Sequence, residues 1–253
     1  MKTLAPVILL VLLAASAVQA ATPATAPAAG MLLPDLRTPE GSGATLKWVV
    51  MLTVLSVAPA VLVMVTCFTR IIVVLGLLRQ ALGTNQLPPN QILFGLALLM
   101  SIAVMAPVYT EVHAKAVGPY LDGKLNQNDA LAAAAGPVRA FMAAQMENAD
   151  NADDVRLFLH EDQAARKDLA WADVPTTAMI PGFVVSELKV AFWIGFRIFL
   201  PFVIIDMLAA STLISMGMFM VPPSLVSLPF KLLLFVLADG WHLVVGTLLQ
   251  SFR

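Results

Sequence analysis

Four long runs of apolar residues dominate the pattern along the chain. The first, Trp48–Thr69, has 22 residues without a charge, and the second, Ile92–Thr110, has 19. About 20 apolar residues in a helix are enough to cross a bilayer. Two later runs, near Phe183–Leu208 and near Leu228–Leu249, are long enough but contain charged residues. The pattern predicts an all-α, membrane-associated chain with two apolar helical hairpins, over residues 47–110 and 179–253.

Most of the charge lies between the two predicted hairpins. Of the 31 charged residues, 17 fall between Glu111 and Asp173, and 11 of these are acidic. Two runs in this stretch, Ala130–Ala135 and Asp153–Leu169, predict helices that start at Asn or Asp. We interpret residues 111–178 as a polar, acidic helical region with a solvated face rather than as an acidic binding tail.

The N-terminus has the pattern of a secretory signal peptide. Lys2 precedes the apolar run Leu4–Val18, and small residues end it at Ala20. This predicts a cleaved signal at residues 1–20 and a flexible linker at residues 21–46, where four prolines, the last of them Pro39, oppose helix formation. The mature N-terminus and residues 111–178 are then predicted to lie outside the cytoplasm. The positive-inside rule agrees, because only basic residues lie between the first two runs.

Composition excludes several classes of protein. The chain has 253 residues, of which 59% are hydrophobic and 12% charged, with a mean hydropathy of +0.86. A soluble monomer needs more polar surface than this. The net charge of −1 gives no basic footprint for nucleic acid. A single cysteine, Cys67, excludes a disulfide within the chain and is interpreted as an inert packed thiol.

Charged residues within the last two runs indicate burial against protein or water. A charge at the centre of a bilayer costs roughly 2.5–3.5 kcal/mol on insertion scales, so such groups usually pair. Prolines in the same runs free backbone groups that protein or a water-filled cavity must satisfy. This half is therefore predicted to pack against other subunits or to line a pore. Three of its charges are predicted to be buried: Arg197, Asp206 and Asp239.

The segment between the last two runs contains alternating methionines. Met216, Met218 and Met220 precede the pair Pro222-Pro223. Three interpretations stay open: ordinary core packing, a soft-metal site for Cu(I), and a deformable apolar seal in a pore. The neighbouring glycine and prolines favour an exposed loop, in which a seal competes with core packing.

No catalytic constellation is visible. His113, His160 and His242 lie far apart and lack a metalloprotease spacing. Asp206 and Asp239 could form an intramembrane aspartyl protease, but a buried Asp more often answers a neighbouring basic residue. We therefore predict that the chain is not an enzyme and needs no cofactor or metal.

Several long strings resemble the FliP family of flagellar type III export gate subunits. The resemblance covers roughly residues 46–253, and related injectisome proteins share the C-terminal strings. The strings are Thr69–Ile71, Leu87–Gln91, Ser186–Lys189, Ile194–Phe202, Ile205–Met207, Gly217–Pro223, Leu228–Leu232 and Asp239–Trp241.

The resemblance implies a core subunit of the export gate in the flagellar basal body. Five copies would assemble with FliQ and FliR, contact other export components and the lipid membrane, and pass unfolded flagellar proteins. It implies bent hairpins in a gate that sits largely above the inner membrane, with no role in binding nucleic acid.

The resemblance also assigns residues. Met218, Phe219 and Met220 would form a gasket around the closed pore, although the family usually has three methionines there. Glu187 and Lys231 would form an ion pair between adjacent subunits. The alternative function is a methionine-lined transporter of copper or another small solute.

Overall fold

Helices form nearly all of the structure. The computed structural model describes residues 39–84, 87–161 and 170–252, and these ranges contain no β-strand, which confirms the all-α prediction. The predicted signal peptide and most of the predicted linker lie outside the described residues. The chain divides into two units, residues 1–57 and 58–253, and everything below on packing concerns the second.

Eight α-helices follow one another along the described ranges. A π-helical turn, His113–Val117, joins α3 to α4, and a 3-10 helix, Ala152–Phe158, follows α5. The helices are α1 Pro39–Met64, α2 Phe68–Leu82, α3 Asn90–Val112, α4 Gly118–Leu121, α5 Gln127–Asn148, α6 Thr176–Ser215, α7 Pro223–Leu237 and α8 Gly240–Gln250.

Three helical stretches are long and apolar enough to cross a membrane. They are Leu46–Met64, Asn90–Leu121 and Thr176–Ser215, with mean hydropathies of 2.1, 2.2 and 2.1. A fourth stretch exists only if α7 and α8 count together, because they bend by 64° at their junction. Asp239 produces this break by adopting a left-handed backbone with φ of +48°. These stretches correspond to the four apolar runs of the sequence.

The structure corrects the predicted start of the first helix. The linker was predicted to extend to residue 46 with prolines that oppose helix, yet α1 already begins at Pro39. A proline is tolerated in the first turn of a helix, because the N–H that it lacks has no partner there.

The first helix also ends earlier than the apolar run Trp48–Thr69 predicted. Helix α1 ends at Met64, and a tight turn at residues 65–67 starts the separate helix α2. The hydroxyl of Thr66 donates to the Val63 carbonyl at 3.0 Å and accepts from the Phe68 N–H at 3.4 Å. Most of the residues between the first two runs thus form α2, in which eight of the 15 residues are buried.

Helix α2 is central because it is apolar on most sides. It packs between α3 and α6, and its C-terminus ends at Gly83, where φ is +73°. The shared core of these helices includes Ile71, Val74, Leu75, Leu78, Leu93, Ala97, Ala191 and Ile194. Gly195 on α6 marks the closest approach, since a Cβ there would lie 2.2 Å from Leu77 Cδ1.

The polar region packs on the first part of α6. Helix α5 starts as predicted at an Asn, whose Oδ1 accepts from the Asp129 N–H at 2.9 Å. The helix predicted from Asp153 begins as the 3-10 helix instead, and residues 162–169 lie outside the described ranges. Val155 contacts α6 so closely that a Cβ on Gly182 would lie 2.8 Å from its Cα. A second apolar core with Met146, Met179 and Phe183 fills this contact.

Candidate functional site: an exposed methionine turn and two buried charge networks

The methionine segment is a tight turn between α6 and α7. Gly217, with φ of +76°, donates its N–H to the Ile214 carbonyl at 3.0 Å, and Met218 donates to Leu213 at 2.9 Å. These two bonds form a Schellman motif, which ends a helix and satisfies its last carbonyls. Helix α7 then begins at Pro223, a residue suited to the first helical position. Glycine and proline thus stop one long helix and start the next.

The tip of this turn is exposed. The exposed fraction is 41% for Met218, 76% for Phe219 and 95% for Met220. Core packing within the chain therefore does not explain Phe219 or Met220. Met216 and Met218 border an apolar groove of about 590 Å³ between α6 and α7.

Arg70 is the centre of the first charge network. The residue is 1% exposed and lies on α2. Its Nε donates to Glu187 Oε2 at 2.8 Å, and its Nη2 donates to the other oxygen of Glu187 and to Gln145 Oε1, the latter at 3.2 Å. Its Nη1 donates to the carbonyl of Ser251 at 2.7 Å and to its hydroxyl at 3.1 Å. All five guanidinium N–H groups thus have acceptors.

The network extends to Phe252, which follows α8. The ring of Phe252 lies 4.1 Å from the Arg70 guanidinium carbon, and the Phe252 carbonyl accepts from Gln145 Nε2 at 3.2 Å. Glu187 is fully buried. Helices α2, α5 and α6 and the residues after α8 therefore meet at one ion pair.

Lys231 is the centre of the second network. Its Nζ donates to Asp206 Oδ2 at 2.6 Å and to the Ala81 carbonyl at 3.1 Å, at the C-terminus of α2. Ser227 donates to Asp206 Oδ1 at 2.6 Å. Lys231 is buried, whereas the Asp206 side chain is 40% exposed. This network ties the hairpin of α6 and α7 to α2 and stays partly open to solvent.

The structure does not bring Glu187 and Lys231 together within the chain. Each was expected to need a partner in an adjacent subunit, but Arg70 already answers the charge of Glu187 and Asp206 that of Lys231. A pair between subunits stays a prediction, and it would require both residues to exchange partners.

The chain alone does not bury the three charges predicted to be buried. Asp206 is half-buried, while Arg197 and Asp239 are exposed. Arg197 lies over the ring of Trp193, with its guanidinium carbon 4.8 Å from the ring centroid. Asp206 binds Ser227 and Lys231 rather than Asp239, so no aspartate dyad forms between them.

Metal ligands do not cluster in the part of the chain that the structure describes. No group of three His, Cys, Asp or Glu side chains there is close enough to hold an ion. Cys67 donates a hydrogen bond to Ser101 Oγ at 3.3 Å and is fully buried, as expected for a packed thiol.

Sequence reasoning missed the role of Arg70. Arg70 directly follows the first apolar run and was not among the predicted site residues, although an Arg between Thr69 and Ile71 in an apolar context signals a need for an internal partner. Glu187 was already predicted to form an ion pair, so it was the natural candidate for the partner of Arg70. No signal in the sequence points to Gln145 or Ser251, because amides and hydroxyls are common on surfaces.

Long apolar helices, an exposed apolar turn and internally paired charges define a membrane-associated structural protein. Residues 51–248 match the FliP family. The chain is 48% identical to the flagellar biosynthetic protein FliP of Bacillus subtilis, over 85% of the chain and 95% of that protein. It is 45% identical to that of Caulobacter vibrioides, over 90% of the chain and 85% of that protein, and 43% identical to that of Treponema pallidum, over 86% and 80%.

The chain belongs to the FliP family of flagellar biosynthetic proteins. It is a component of the flagellar export apparatus and not an enzyme, as predicted. Its apolar helices are consistent with a place in the bacterial inner membrane.

Proposed function

We propose that the chain is a pore-forming subunit of the flagellar export gate and that its methionine turn closes the pore. The proposal rests on the exposed, apolar character of the tip of this turn. Met218, Phe219 and Met220 are exposed at the end of a hairpin, and the turn from residue 216 to residue 222 contains no charge. An exposed apolar tip on a ring of identical subunits would form an apolar constriction.

Such a constriction suits a protein channel that must stay closed to ions. A narrow apolar ring resists ions by dewetting. Unbranched thioether side chains change rotamer easily and can close around irregular shapes, which a passing unfolded chain requires. Phe219 is apolar but stiffer, so it limits how freely the seal deforms.

The assembly that we propose follows the family resemblance. Five copies form a ring with FliQ and FliR, and the passing cargo is unfolded flagellar protein. Residues 111–178 lie on the periplasmic side. The many exposed apolar residues of the hairpin α6–α7 support burial in such an assembly, since a soluble surface rarely exposes so large an apolar area.

The test replaces Met218, Phe219 and Met220 by Ala. We expect normal assembly, continued export of a flagellar substrate, and a membrane that leaks small ions. The matched control is Met207→Ala, because Met207 is an exposed methionine on the shaft of α6 rather than at the tip. The measurement is conductance, or growth under ionic stress, of cells that express the assembled gate. A triple variant that assembles and stays as ion-tight as the parent would refute the seal.

A further inference from the structure

Two exposed charges on the hairpin of α6 and α7 have no ionic partner among the described residues. They are Arg197 on α6 and Asp239, which lies at the end of the hairpin after α7. The guanidinium of Arg197 lies over the Trp193 ring and not beside a carboxylate. The carboxylate of Asp239 does not cap α8, although Asp239 holds the N-cap position, because its left-handed backbone replaces the usual extended one.

The other polar side chains on this surface differ, because the chain satisfies them itself. Three exposed hydroxyls on α6 donate to carbonyls of their own helix at 2.8 to 3.0 Å: Ser211, Thr212 and Ser215. A hydroxyl that is already hydrogen-bonded can be covered at little cost, whereas an unpaired charge cannot. Between residues 176 and 239, all of which the structure describes, the remaining charged side chains have ionic partners. Covering the hairpin would therefore leave Arg197 and Asp239 as its two uncompensated charges.

Arg197 and Asp239 lie at the same level of the hairpin. The bonds of Asp206 to α7 place it opposite residue 229, midway between its two partners there. The two helices are antiparallel, so nine residues back from Asp206 on α6 correspond to nine residues forward on α7. The first count gives Arg197, and the second gives residue 238, which directly precedes Asp239.

Arg197 lies on the face of α6 that turns away from α7. At about 3.6 residues per turn, the nine residues that separate Arg197 from Asp206 make about two and a half turns, so the two side chains leave opposite sides of the helix. Asp206 faces α7, and Arg197 therefore faces outward. The exposed side chains around Arg197 on this outer face are apolar: Trp193, Phe196, Leu200, Ile204 and Leu208.

The outer face of α7 is also apolar but ends at the opposite charge. Ser227 faces α6, and Val236 lies nine residues beyond it, about two and a half turns away, on the outer side. Val236 is 74% exposed and Leu237 is 76% exposed, and Asp239 follows them. One hairpin thus has an apolar face with a cation on one side and an apolar face that ends at an anion on the other.

We propose that Arg197 of one copy of the chain forms an ion pair with Asp239 of the next copy. Two different faces of one chain meet head to tail when copies form a ring, so the outer face of α6 meets the outer face of α7 of the neighbouring copy. A rotation relates the copies, and residues at one level of the hairpin stay close to one level across the contact. The pair supplies the counter-charge that each residue lacks within its own chain.

This pair is distinct from the predicted pair of Glu187 and Lys231, because each of those residues already has a partner within the chain. The proposal rests on the ring of copies in the proposed function but not on the methionine seal. A ring whose tips fail to seal would still contain the contact between Arg197 and Asp239.

The first test cross-links the two positions between copies. Arg197→Cys and Asp239→Cys are placed in separate chains with different tags, co-expressed with the other export subunits, and treated with a short bismaleimide that spans the length of the two lost side chains. The native Cys67 is fully buried and does not compete. We expect a dimer that carries both tags. The control pairs Asp239→Cys with Lys124→Cys, an exposed position in the polar region.

Two negative outcomes of the first test have different meanings. A yield no higher than that of the control, in membranes where the parent chain forms its oligomer, would overturn the ion pair and leave the ring intact. A parent chain whose native mass shows only one copy per complex would overturn the ring and the ion pair together.

The second test measures how the two charges depend on each other. Arg197→Glu places a like charge opposite Asp239, and we expect the assembled fraction to fall about tenfold or more, the lower end for close charge pairs at interfaces. Asp239→Asn removes that repulsion and suits a left-handed backbone. The double variant should therefore assemble better than Arg197→Glu alone and about as well as Asp239→Asn alone.

The readout of the second test is the fraction of the chain in the assembled complex on native gels. Both residues are exposed in the single chain, so thermal unfolding of the solubilised variants should match that of the parent. The control is Lys124→Glu, which reverses an exposed charge in the polar region and should leave assembly unchanged. A double variant that assembles less well than Arg197→Glu would show that the two residues do not face each other.

Discussion

Both charge networks tie α2 to α6, but they differ in how completely they are enclosed. The Arg70 network is sealed, and every donor of its guanidinium has an acceptor inside the chain. The Lys231 network is half open, because the Asp206 side chain is 40% exposed. The same contrast holds around them. The helices near Arg70 form a finished core, whereas the hairpin of α6 and α7 exposes apolar side chains and methionines. The core around Arg70 is complete within the chain, whereas the hairpin of α6 and α7 has an apolar surface that other molecules can cover.

The largest effect is expected from breaking the sealed network. Arg70→Met leaves the Glu187 carboxylate buried without a counter-charge, and breaking one side of such a pair costs about 3–5 kcal/mol. We expect a large drop in thermal stability and rapid proteolysis of the detergent-solubilised chain. The double variant Arg70→Met with Glu187→Met should recover much of the loss, because apolar residues of similar size often replace a buried pair. No recovery in the double variant would show that Arg70 matters through Gln145 and Ser251 rather than through Glu187.

A smaller effect is expected at the contact between α6 and the polar region. Gly182→Ala places a methyl group 2.8 Å from the backbone of Val155, and overpacking of this kind costs about 1–3 kcal/mol. Because backbone cannot rotate away, the 3-10 helix should loosen, and amide hydrogen exchange around Val155 should speed up. The matched control is Gly76→Ala on α2, where an added Cβ meets nothing within 4 Å. It should be neutral or slightly stabilising. Equal behaviour of the two variants would contradict the close contact.

Breaking the partly open Lys231 network should reduce stability less than breaking the buried Arg70 network. Asp206→Asn keeps the shape and a hydrogen bond to Ser227 but removes the charge that faces Lys231. Because solvent reaches Asp206, we expect a loss of about 1 kcal/mol, in the range of one net hydrogen bond. The measurement is thermal unfolding of the solubilised chain, in which the stability loss of Asp206→Asn is compared with that of Arg70→Met. A loss as large as that of Arg70→Met would mean that exposure does not separate the two networks.

The smallest effect concerns the buried thiol in the turn before α2. Cys67 lies outside the candidate spans, and burial raises the pKa of its thiol from 9.0 to about 11. A raised pKa favours the protonated folded form, so this contribution to stability is complete below pH 9 and is lost as the pH rises toward 11. Maleimide should not label Cys67 at pH 8. In the variant Leu225→Cys, which introduces an exposed thiol, one label per chain is expected. Two labels would show that the core around Cys67 opens readily.

The sequence was sufficient to predict where the apolar helices lie, but not which residues pair with the buried charges. The apolar runs located the candidate spans, because helix length and hydropathy are local properties, although the first run extends beyond the end of α1 at Met64. Two features depended on tertiary context. The turn at residues 65–67 divides a run that is apolar throughout, and no proline or glycine marks the break. The partners of Glu187 and Lys231 lie 117 and 25 residues away, and charge type alone cannot choose between Arg70, Asp206 and a second subunit.

The Arg70 network also implies an order of events during synthesis. Arg70 and Ser251 are 181 residues apart, and a ribosome that adds roughly 5–20 residues per second needs about 9–36 s to cover that distance. Throughout this interval the Nη1 group of Arg70 must be hydrated or held by temporary partners, because both of its permanent acceptors belong to Ser251. The residues that follow α8 therefore complete this network, and the core around Arg70 can close fully only after Ser251 has been synthesised.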